Sequence, residues 1–239
     1  MPLKDKLILA LDMSDPDYAL DIVDRLGDWV NVFKVGFELF ISAGPGIVDK
    51  INSKGKKVFL DLKFHDIPNT VMRAAEVAAK MGVYMFNVHA SGGSEMMRKC
   101  KERVVEICLQ ENIEGPRIIG VTVLTSISQD EFKGEMGFQH SIKTHVRHLA
   151  SLAMKSGLDG VVASGHETSM IKSHCGEKFL VVAPGIRPSW SPPDDQQRTM
   201  TPRDALKNGA DYIVVGRGIL GQDDPVKAVE LISLEVMSV

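Results

Sequence analysis

The densest group of chemically capable side chains lies in the segment LDLKFHDIPNTV, residues 60–71. Asp61 and Lys63 are two residues apart, so on a β-strand their side chains point to the same face. Asp66 follows shortly afterwards, before Pro68 opens the next predicted helix. Two carboxylates and one ammonium are therefore expected at one end of a strand. A single exposed pair is usually a structural salt bridge, but the third charge favours a site that acts on a ligand.

Two further charges occupy the ends of other predicted strands. Asp12 ends the run LILALD, residues 7–12, and Lys34 lies near the end of VNVFKVG, residues 30–36. Together with the first group, these side chains alternate in sign around one rim. An ammonium beside carboxylates keeps its charge when it is desolvated, and it can then stabilise developing negative charge. The pattern indicates binding and catalysis more than a structural role.

The elements that must position these side chains follow a repeated β–α alternation. Continuous apolar runs, typical of parallel strands covered on both faces, separate longer amphipathic segments. The predicted strands are 7–12, 30–36, 57–63, 85–90, 117–124, 160–164, 179–186 and 212–219. This alternation predicts an α/β protein, a single-domain (β/α)₈ TIM barrel over residues 1–239. In such barrels the active site lies at the carboxyl ends of the strands, where the charges are expected.

Helix signals lie between the strands. Predicted helices cover 15–26, 69–81 and 141–156, and another begins near Pro225. Pro16 suits the first turn of the first helix, because a helix N-terminus does not need its missing N–H. The other two end at Gly82 and Gly157, and glycine is a good C-cap.

One connection is longer than the others. Residues 187–204, RPSWSPPDDQQRTMTPRD, are polar and contain four prolines. Long loops in compact domains are often functional, and this one follows the seventh predicted strand on the catalytic face. We expect a mobile active-site lid, with a passive surface loop as the alternative.

A phosphate site is predicted after the eighth strand. Gly-Arg-Gly at 216–218 lies where barrels frequently bind phosphate. The glycines let backbone N–H groups approach an anion, and Arg217 offers a forked guanidinium.

The composition excludes several other classes of protein. Hydrophobic residues make up 44% and charged residues 25% of the chain, the usual mix of a soluble globular protein. The net charge of −3 does not indicate a nucleic-acid partner, and no apolar stretch reaches the length of a membrane span. Cys100, Cys108 and Cys175 form no CxxC pair, which favours reduced thiols in a cytoplasmic protein. No HExxH or P-loop pattern occurs, so we expect neither a metal nor a cofactor.

The motif D-x-K-x-x-D followed by I-P-N-T closely resembles the active-site signature of orotidine 5′-monophosphate decarboxylases. It is formed by Asp61, Lys63, Asp66 and residues 67–70. The resemblance covers essentially the whole chain and is strongest to the compact bacterial form. Other matching segments are LALD with Asp12, FKVG with Lys34, VTVLTS with Thr125, PGIRP with Pro184 and Arg187, the Gln196 region, and VVGRGI with Gly216 and Arg217.

The resemblance implies conversion of orotidine 5′-monophosphate to uridine 5′-monophosphate in de novo pyrimidine biosynthesis, without metal or cofactor. Lys63 would protonate C6 of the pyrimidine, with Asp61 beside it. Asp66, with Ile67 and Thr70, would reach the site from the partner subunit of a homodimer.

Contacts to the rest of the nucleotide also follow from the resemblance. Asp12 and Lys34 would bind the ribose hydroxyls and complete the charged network, and Thr125 and Ser126 would lie near the base. Pro184 would contact substrate, and Arg187 would belong to the lid. The phosphate would be held by Arg217, the Gly216 backbone and Gln196, with the adjacent Gln197 as an alternative to Gln196.

Two alternatives remain open at this point. Metal-dependent sugar-phosphate decarboxylases or aldolases of the same superfamily share D-x-K-x-x-D, but they place an acidic metal ligand where Lys34 stands. A non-catalytic nucleotide-binding barrel is the second alternative. Simple binding, however, does not need an ammonium between two carboxylates.

Overall fold

A computed structural model of the chain describes residues 2–190 and 198–237, and in that part of the chain eight parallel strands close a barrel. The strands are β1 (Leu7–Ala10), β2 (Val32–Gly36), β3 (Lys57–Phe64), β4 (Met85–His89), β5 (Arg117–Val121), β6 (Gly160–Val162), β7 (Leu180–Ala183) and β8 (Tyr212–Val215). Each strand pairs with its sequence neighbour, and β8 returns to β1 with Leu9 opposite Val215. The predicted (β/α)₈ fold is confirmed.

Helices cover the outside of the barrel. They are α1 (Leu3–Lys6), α2 (Pro16–Leu26), α3 (Phe37–Ala43), α4 (Gly46–Ser53), α5 (Pro68–Lys80), α6 (Ser94–Glu111), α7 (Gln129–Gly134), α8 (Ile142–Lys155), α9 (Thr168–Cys175), α10 (Pro202–Lys207), α11 (Arg217–Leu220) and α12 (Pro225–Met237). A short 3₁₀ helix, Ala90–Gly92, follows β4.

The predicted helix boundaries are confirmed to within about one residue, and local chemistry explains them. Asp15 caps α2, because its Oδ1 accepts the backbone N–H of Asp17 at 2.9 Å. Ser141 caps α8 in the same way through the N–H of Thr144 at 3.2 Å. Gly157, after α8, takes the left-handed backbone conformation with φ of 82°.

Alternate strand residues form an apolar cluster inside the barrel. Its buried members are Ile8, Val32, Phe59, Met85, Ile119, Val182 and Tyr212. Strand neighbours such as Leu7 and Leu9 belong instead to the larger cluster that includes the helices. Because strand side chains alternate in direction, residues two positions further on point inward again, one layer nearer the carboxyl ends. Lys34, Asp61 and Asn87 occupy that next layer, so the apolar cluster is the floor of the site.

Several predicted boundaries at the carboxyl face were wrong. The predicted strands 7–12, 117–124 and 160–164 end early, at Ala10, Val121 and Val162. The predicted strand 212–219 ends at Val215, because the chain turns at Gly216 into helix α11. The predicted loop 187–204 ends earlier, because Thr201 accepts the backbone N–H of Asp204 and caps α10. The predicted strand 179–186 ends at Ala183. The apolar or polar pattern on which each prediction was based does continue along the sequence. The hydrogen-bonded pairing between strands, however, ends where the cavity begins.

Other features of the chain bear on its environment. Among the described residues no helix combines the length and the apolar character needed to cross a bilayer. The three cysteines are free thiols. Burial raises the pKa of Cys100 to about 12, so this thiol is inert at neutral pH.

Candidate active site

Strand β3 is irregular where it carries Lys63. Leu60 pairs with Phe86 and Phe64 pairs with Val88, so β3 advances further than β4 between the two pairs. The extra length is taken up around Lys63, whose φ of 45° lies in the left-handed region. A non-glycine residue there costs roughly 1–3 kcal/mol and persists only where its surroundings impose it. Lys63 therefore reaches the cavity from a bulge and not from the regular strand that was predicted.

Asp61 lies between two lysines in a row of four charged side chains. Its Oδ1 accepts a hydrogen bond from Lys63 Nζ at 2.7 Å. Its Oδ2 lies 3.2 Å from Lys34 Nζ, and that ammonium also donates to Asp12 Oδ1 at 2.7 Å. The order Asp12, Lys34, Asp61, Lys63 alternates in sign, and the fifth charge predicted for the rim, Asp66, has no ion pair with them among the described residues. We call these four side chains the charged row.

Burial makes the charges of the row depend on one another. The side chains of Lys34 and Asp61 are only 10% and 11% exposed. Burial alone would lower the pKa of Lys34, but Asp61 and Asp12 outweigh it and the pKa lies above 10.5. Burial also opposes ionisation of Asp61, yet Lys34 and Lys63 hold its pKa below 3.8. Both groups therefore stay charged throughout the neutral range.

Asn87 was not among the predicted site residues. It is 1% exposed, and its Nδ2 donates to Asp61 Oδ1 at 2.7 Å. Its Oδ1 accepts the backbone N–H of Lys63, also at 2.7 Å. The available signal was a polar residue inside the apolar run MFNVH, two positions after the inward-facing Met85.

A cavity of about 430 Å³ opens at the carboxyl ends of the strands. This volume is within the range of pockets that bind small molecules. The predicted site residues on its wall are Asp12, Lys34, Asp61, Lys63, Thr125, Ser126, Pro184, Arg187, Gly216 and Arg217. The structure thus brings together the charged row and two arginines, Arg187 in the loop after β7 and Arg217 at the start of α11. The individual roles of these residues stay predictions.

Close packing at the Gly-Arg-Gly segment explains its glycines. A Cβ on Gly216 would lie 3.3 Å from Ala10 Cβ and 3.7 Å from Asp12 Oδ2. A Cβ on Gly218 would lie 3.0 Å from Pro188 Cδ. Larger residues would push apart the β1, β7 and β8 loops that form this corner of the cavity.

The two ends of the predicted lid are attached to the barrel. The Arg187 N–H donates to the Met200 carbonyl at 2.8 Å, and the Met200 N–H donates to the Gly185 carbonyl at 3.2 Å. Arg198 Nη1 donates to the buried Glu167 at 2.6 Å. Residues 191–197 of the predicted lid lie outside the described residues, so the lid stays a prediction.

Some predicted residues are not in the cavity of their own chain. Asp66, Ile67 and Thr70 are exposed, and within the described residues they are not part of the cavity wall. Ile67 is 67% exposed, and its backbone N–H donates to Asp66 Oδ1 at 2.6 Å. The predicted phosphate contact at Gln196, or its alternative Gln197, lies outside the described residues.

The closed barrel and the charged row at its carboxyl face define a (β/α)₈ enzyme that acts on a small molecule. The chain belongs to the orotidine 5′-phosphate decarboxylase / HUMPS family, whose model matches residues 5–232. The predicted resemblance is therefore confirmed.

Individual relatives are similar over nearly their whole length. The chain is 45% identical over 236 residues to the orotidine 5′-phosphate decarboxylase of Moorella thermoacetica, a match that covers 99% of this chain and 94% of that protein. It is 48% identical over 238 residues to the enzyme of the same name from Trichlorobacter lovleyi, covering 98% and 96%. The crystal structure of orotidine 5′-phosphate decarboxylase from Lactobacillus acidophilus matches with a TM-score of 0.85 at 38% identity, covering 98% of this chain and 100% of that chain.

Proposed function

We propose that this chain decarboxylates orotidine 5′-monophosphate to uridine 5′-monophosphate in de novo pyrimidine biosynthesis. Membership of the family and the names of its relatives support the reaction. The observation that carries the mechanism is the Lys63 ammonium, which is paired with the buried Asp61 at 2.7 Å on the cavity wall.

The chemistry of the substrate explains the need for a fixed cation. Loss of CO₂ from C6 leaves an electron pair in an sp² orbital in the ring plane, where the π system cannot delocalise it. A positive charge about 4 Å away, at an effective dielectric near 20, stabilises this pair by roughly 4 kcal/mol. That is roughly a thousandfold in rate. The electron pair at C6 then takes a proton from Lys63 Nζ, and the neutral amine regains a proton from water.

Asp61 prepares Lys63 for this step. Because the carboxylate is buried and ionised, it holds the ammonium in place before the substrate reacts, and the charge needs no reorganisation. Lys34, between Asp12 and Asp61, keeps Asp61 ionised in turn. Asp12, whose side chain is 59% exposed, has a free lone pair to accept a hydrogen bond from a ribose hydroxyl.

Residues on the far loops bind the rest of the nucleotide in this proposal. Thr125 and Ser126, after β5, lie near the base, and Pro184, the first residue after β7, contacts the substrate from the cavity wall. Arg217 and Arg187 supply positive charge to the phosphate, which a chain with a net charge of −3 can provide only locally. Binding the remote phosphate would help to position the pyrimidine over Lys63.

A homodimer completes the proposed site. Among the described residues Lys63 Nζ has one carboxylate partner, Asp61. The exposure of Asp66, Ile67 and Thr70 on the β3–α5 connection supports a role in the neighbouring subunit. Asp66 would then be the second carboxylate beside the partner's ammonium, and Ile67 would be covered by the interface.

We also propose that the enzyme is cytoplasmic.

The geometry of the charged row favours a reaction without a metal. The metal-dependent sugar-phosphate alternative would need an acidic ligand where Lys34 stands. Lys34 Nζ instead lies 2.7 Å from Asp12 and 3.2 Å from Asp61, and a cation at this position argues against a bound divalent metal.

The test is a spectrophotometric assay of the purified, chelator-treated protein with orotidine 5′-monophosphate. We expect the substrate absorbance to be lost at a rate that added Mg²⁺ does not change. A parallel assay offers a 3-keto sugar phosphate with Mg²⁺. Turnover of the sugar phosphate alone would contradict the proposal in favour of the metal-dependent alternative, and tight nucleotide binding without turnover would favour a binding protein.

A further inference from the structure

Asn87 is a fully buried amide that contacts both members of the central ion pair. One side of the amide accepts the backbone N–H of Lys63, and the other donates to the carboxylate of Asp61, each at 2.7 Å. We propose that Asn87 is a positioning residue that holds Lys63 in its left-handed backbone conformation and aims the Asp61 carboxylate at the Lys63 ammonium. This inference rests on the proposed role of Lys63 in decarboxylation.

The bulge in β3 explains why the backbone of Lys63 needs a side-chain partner. The regular pairing of β3 with β4 is interrupted between Leu60 and Phe64, so the Lys63 N–H bonds to a side chain and not to a strand carbonyl. A buried N–H without an acceptor is strongly unfavourable. Without the Asn87 carbonyl, Lys63 would relax from its φ of 45° towards ordinary strand geometry. That relaxation would swing its Nζ away from its present position.

The second contact of Asn87 fixes the carboxylate. Asp61 Oδ1 receives both Asn87 Nδ2 and Lys63 Nζ, while Oδ2 faces Lys34. This division of the two oxygens sets the rotation of the carboxylate about its Cβ–Cγ bond. The Asn87 amide thus fixes the backbone of Lys63 directly and the position of the Lys63 ammonium through Asp61.

The position of Asn87 in the barrel supports this role. It follows Met85 by two residues and points inward from β4 in the layer above the apolar cluster, on the cavity wall. At 1% exposure an apolar side chain would be the ordinary choice. An amide can accept from an N–H with its oxygen and donate to a carboxylate with its nitrogen while carrying no charge.

The decisive variant is Asn87→Asp, because a protonated carboxyl has the same shape and the same pair of bonds as the amide. Its carbonyl can accept from Lys63 N–H and its O–H can donate to Asp61. When it ionises, the donor is lost and two carboxylates face each other. Burial and the adjacent Asp61 carboxylate raise the pKa of the introduced carboxyl above its ordinary value, against the opposing effect of the Lys63 and Lys34 ammonium groups that contact Asp61. Lowering the pH should therefore restore the missing bond.

We expect the ratio of kcat in Asn87→Asp to kcat in the unaltered enzyme to rise at least tenfold between about pH 8.5 and about pH 5.5. Taking the ratio at each pH removes the titration of groups common to both proteins. One such group is His89, further along β4, whose pKa burial lowers; Lys34 stays charged across this range. Asn87→Leu, of similar size but without either bond, should lose about 100-fold in kcat at every pH. Its KM should change less than its kcat, because the predicted phosphate and ribose contacts are made by other residues.

The outcomes separate this inference from the proposed function. Equal and flat kcat ratios for the two variants across the pH range, or wild-type kcat in Asn87→Leu, would overturn the positioning role. If Asn87→Leu does not fold, the Asn87→Asp pH series alone decides, with its thermal melting and UMP affinity as checks. Lys63→Ala is assayed alongside: activity in that variant would instead refute the proposed role of Lys63.

Discussion

Neutralising Asp61 removes the carboxylate on which both lysines of the charged row depend. Asp61→Asn keeps the shape of the side chain but leaves the Lys34 and Lys63 ammonium groups facing an uncharged amide. The Nδ2 of the introduced asparagine would also be a hydrogen-bond donor that faces other donors. In the unaltered protein the Asp61 carboxylate accepts from Lys63, from Asn87 and from Lys34. The variant therefore disturbs the ion pairs and the hydrogen bonds together.

The magnitude follows from the geometry. Charge centres about 4 Å apart at an effective dielectric near 20 attract by roughly 4 kcal/mol, and Lys63, at 26% exposed, receives somewhat less. Losing a preorganised electrostatic contact of this size typically lowers kcat by about 100- to 1,000-fold. We expect that loss for Asp61→Asn. KM should change by less than about tenfold, because Arg217 and Arg187 are untouched.

The assay is steady-state decarboxylation of orotidine 5′-monophosphate, with circular dichroism to show that the variant is folded. Asp24→Asn is a matched control, because Asp24 pairs with Lys54 on the surface at 2.8 Å and is 60% exposed. That control should keep wild-type kcat, since exposed pairs contribute little. A folded Asp61→Asn protein with kcat within tenfold of wild type would refute the electrostatic reasoning.

Three further predictions address the rest of the site. Arg217→Ala should weaken UMP binding by about 10- to 100-fold in calorimetry while uridine binding is unchanged; equal UMP affinity would contradict the phosphate assignment. Lys63→Ala and Asp66→Asn should each be nearly inactive, but mixing the two should restore activity, because one site of a heterodimer has both groups intact; no recovery after subunit exchange would argue against the shared site. The lowered pKa of Asp61 contributes stability that is present above pH 3.8 and lost as the pH falls through its folded value. Urea unfolding should therefore show a steeper fall in stability below about pH 4 for the wild type than for Asp61→Asn; parallel curves would mean that the pairing is weak.

The barrel was predictable from the sequence because its signals are local. Continuous apolar runs marked the strands, and capping residues such as Asp15 and Ser141 marked the helix starts. The contact of Asp61 with Lys63 was also predictable, since the two residues are close along the chain. The contact between Lys34 and Asp12 could not be derived from spacing along the chain. These two residues meet only because β1 and β2 lie side by side in the barrel.

The features that were not predicted depend on contacts between strands. The left-handed backbone of Lys63 is imposed by pairing with β4 and by Asn87, residues that a reading of β3 alone does not include. Asn87 itself was hidden in a run that predicts an ordinary buried strand. Likewise β8 ends at Val215 because of packing at Gly216, not because its apolar pattern stops there.

The most direct test of the central claim is the turnover of Lys63→Ala beside Lys57→Ala, a lysine at the opposite end of the same strand. If the Lys63 ammonium stabilises and protonates the carbanion, kcat should fall by roughly 10,000-fold or more while UMP affinity, measured by calorimetry, stays within about tenfold. Lys57→Ala should turn over at the wild-type rate. A folded Lys63→Ala protein that binds UMP and decarboxylates at a rate within tenfold of wild type would contradict the account.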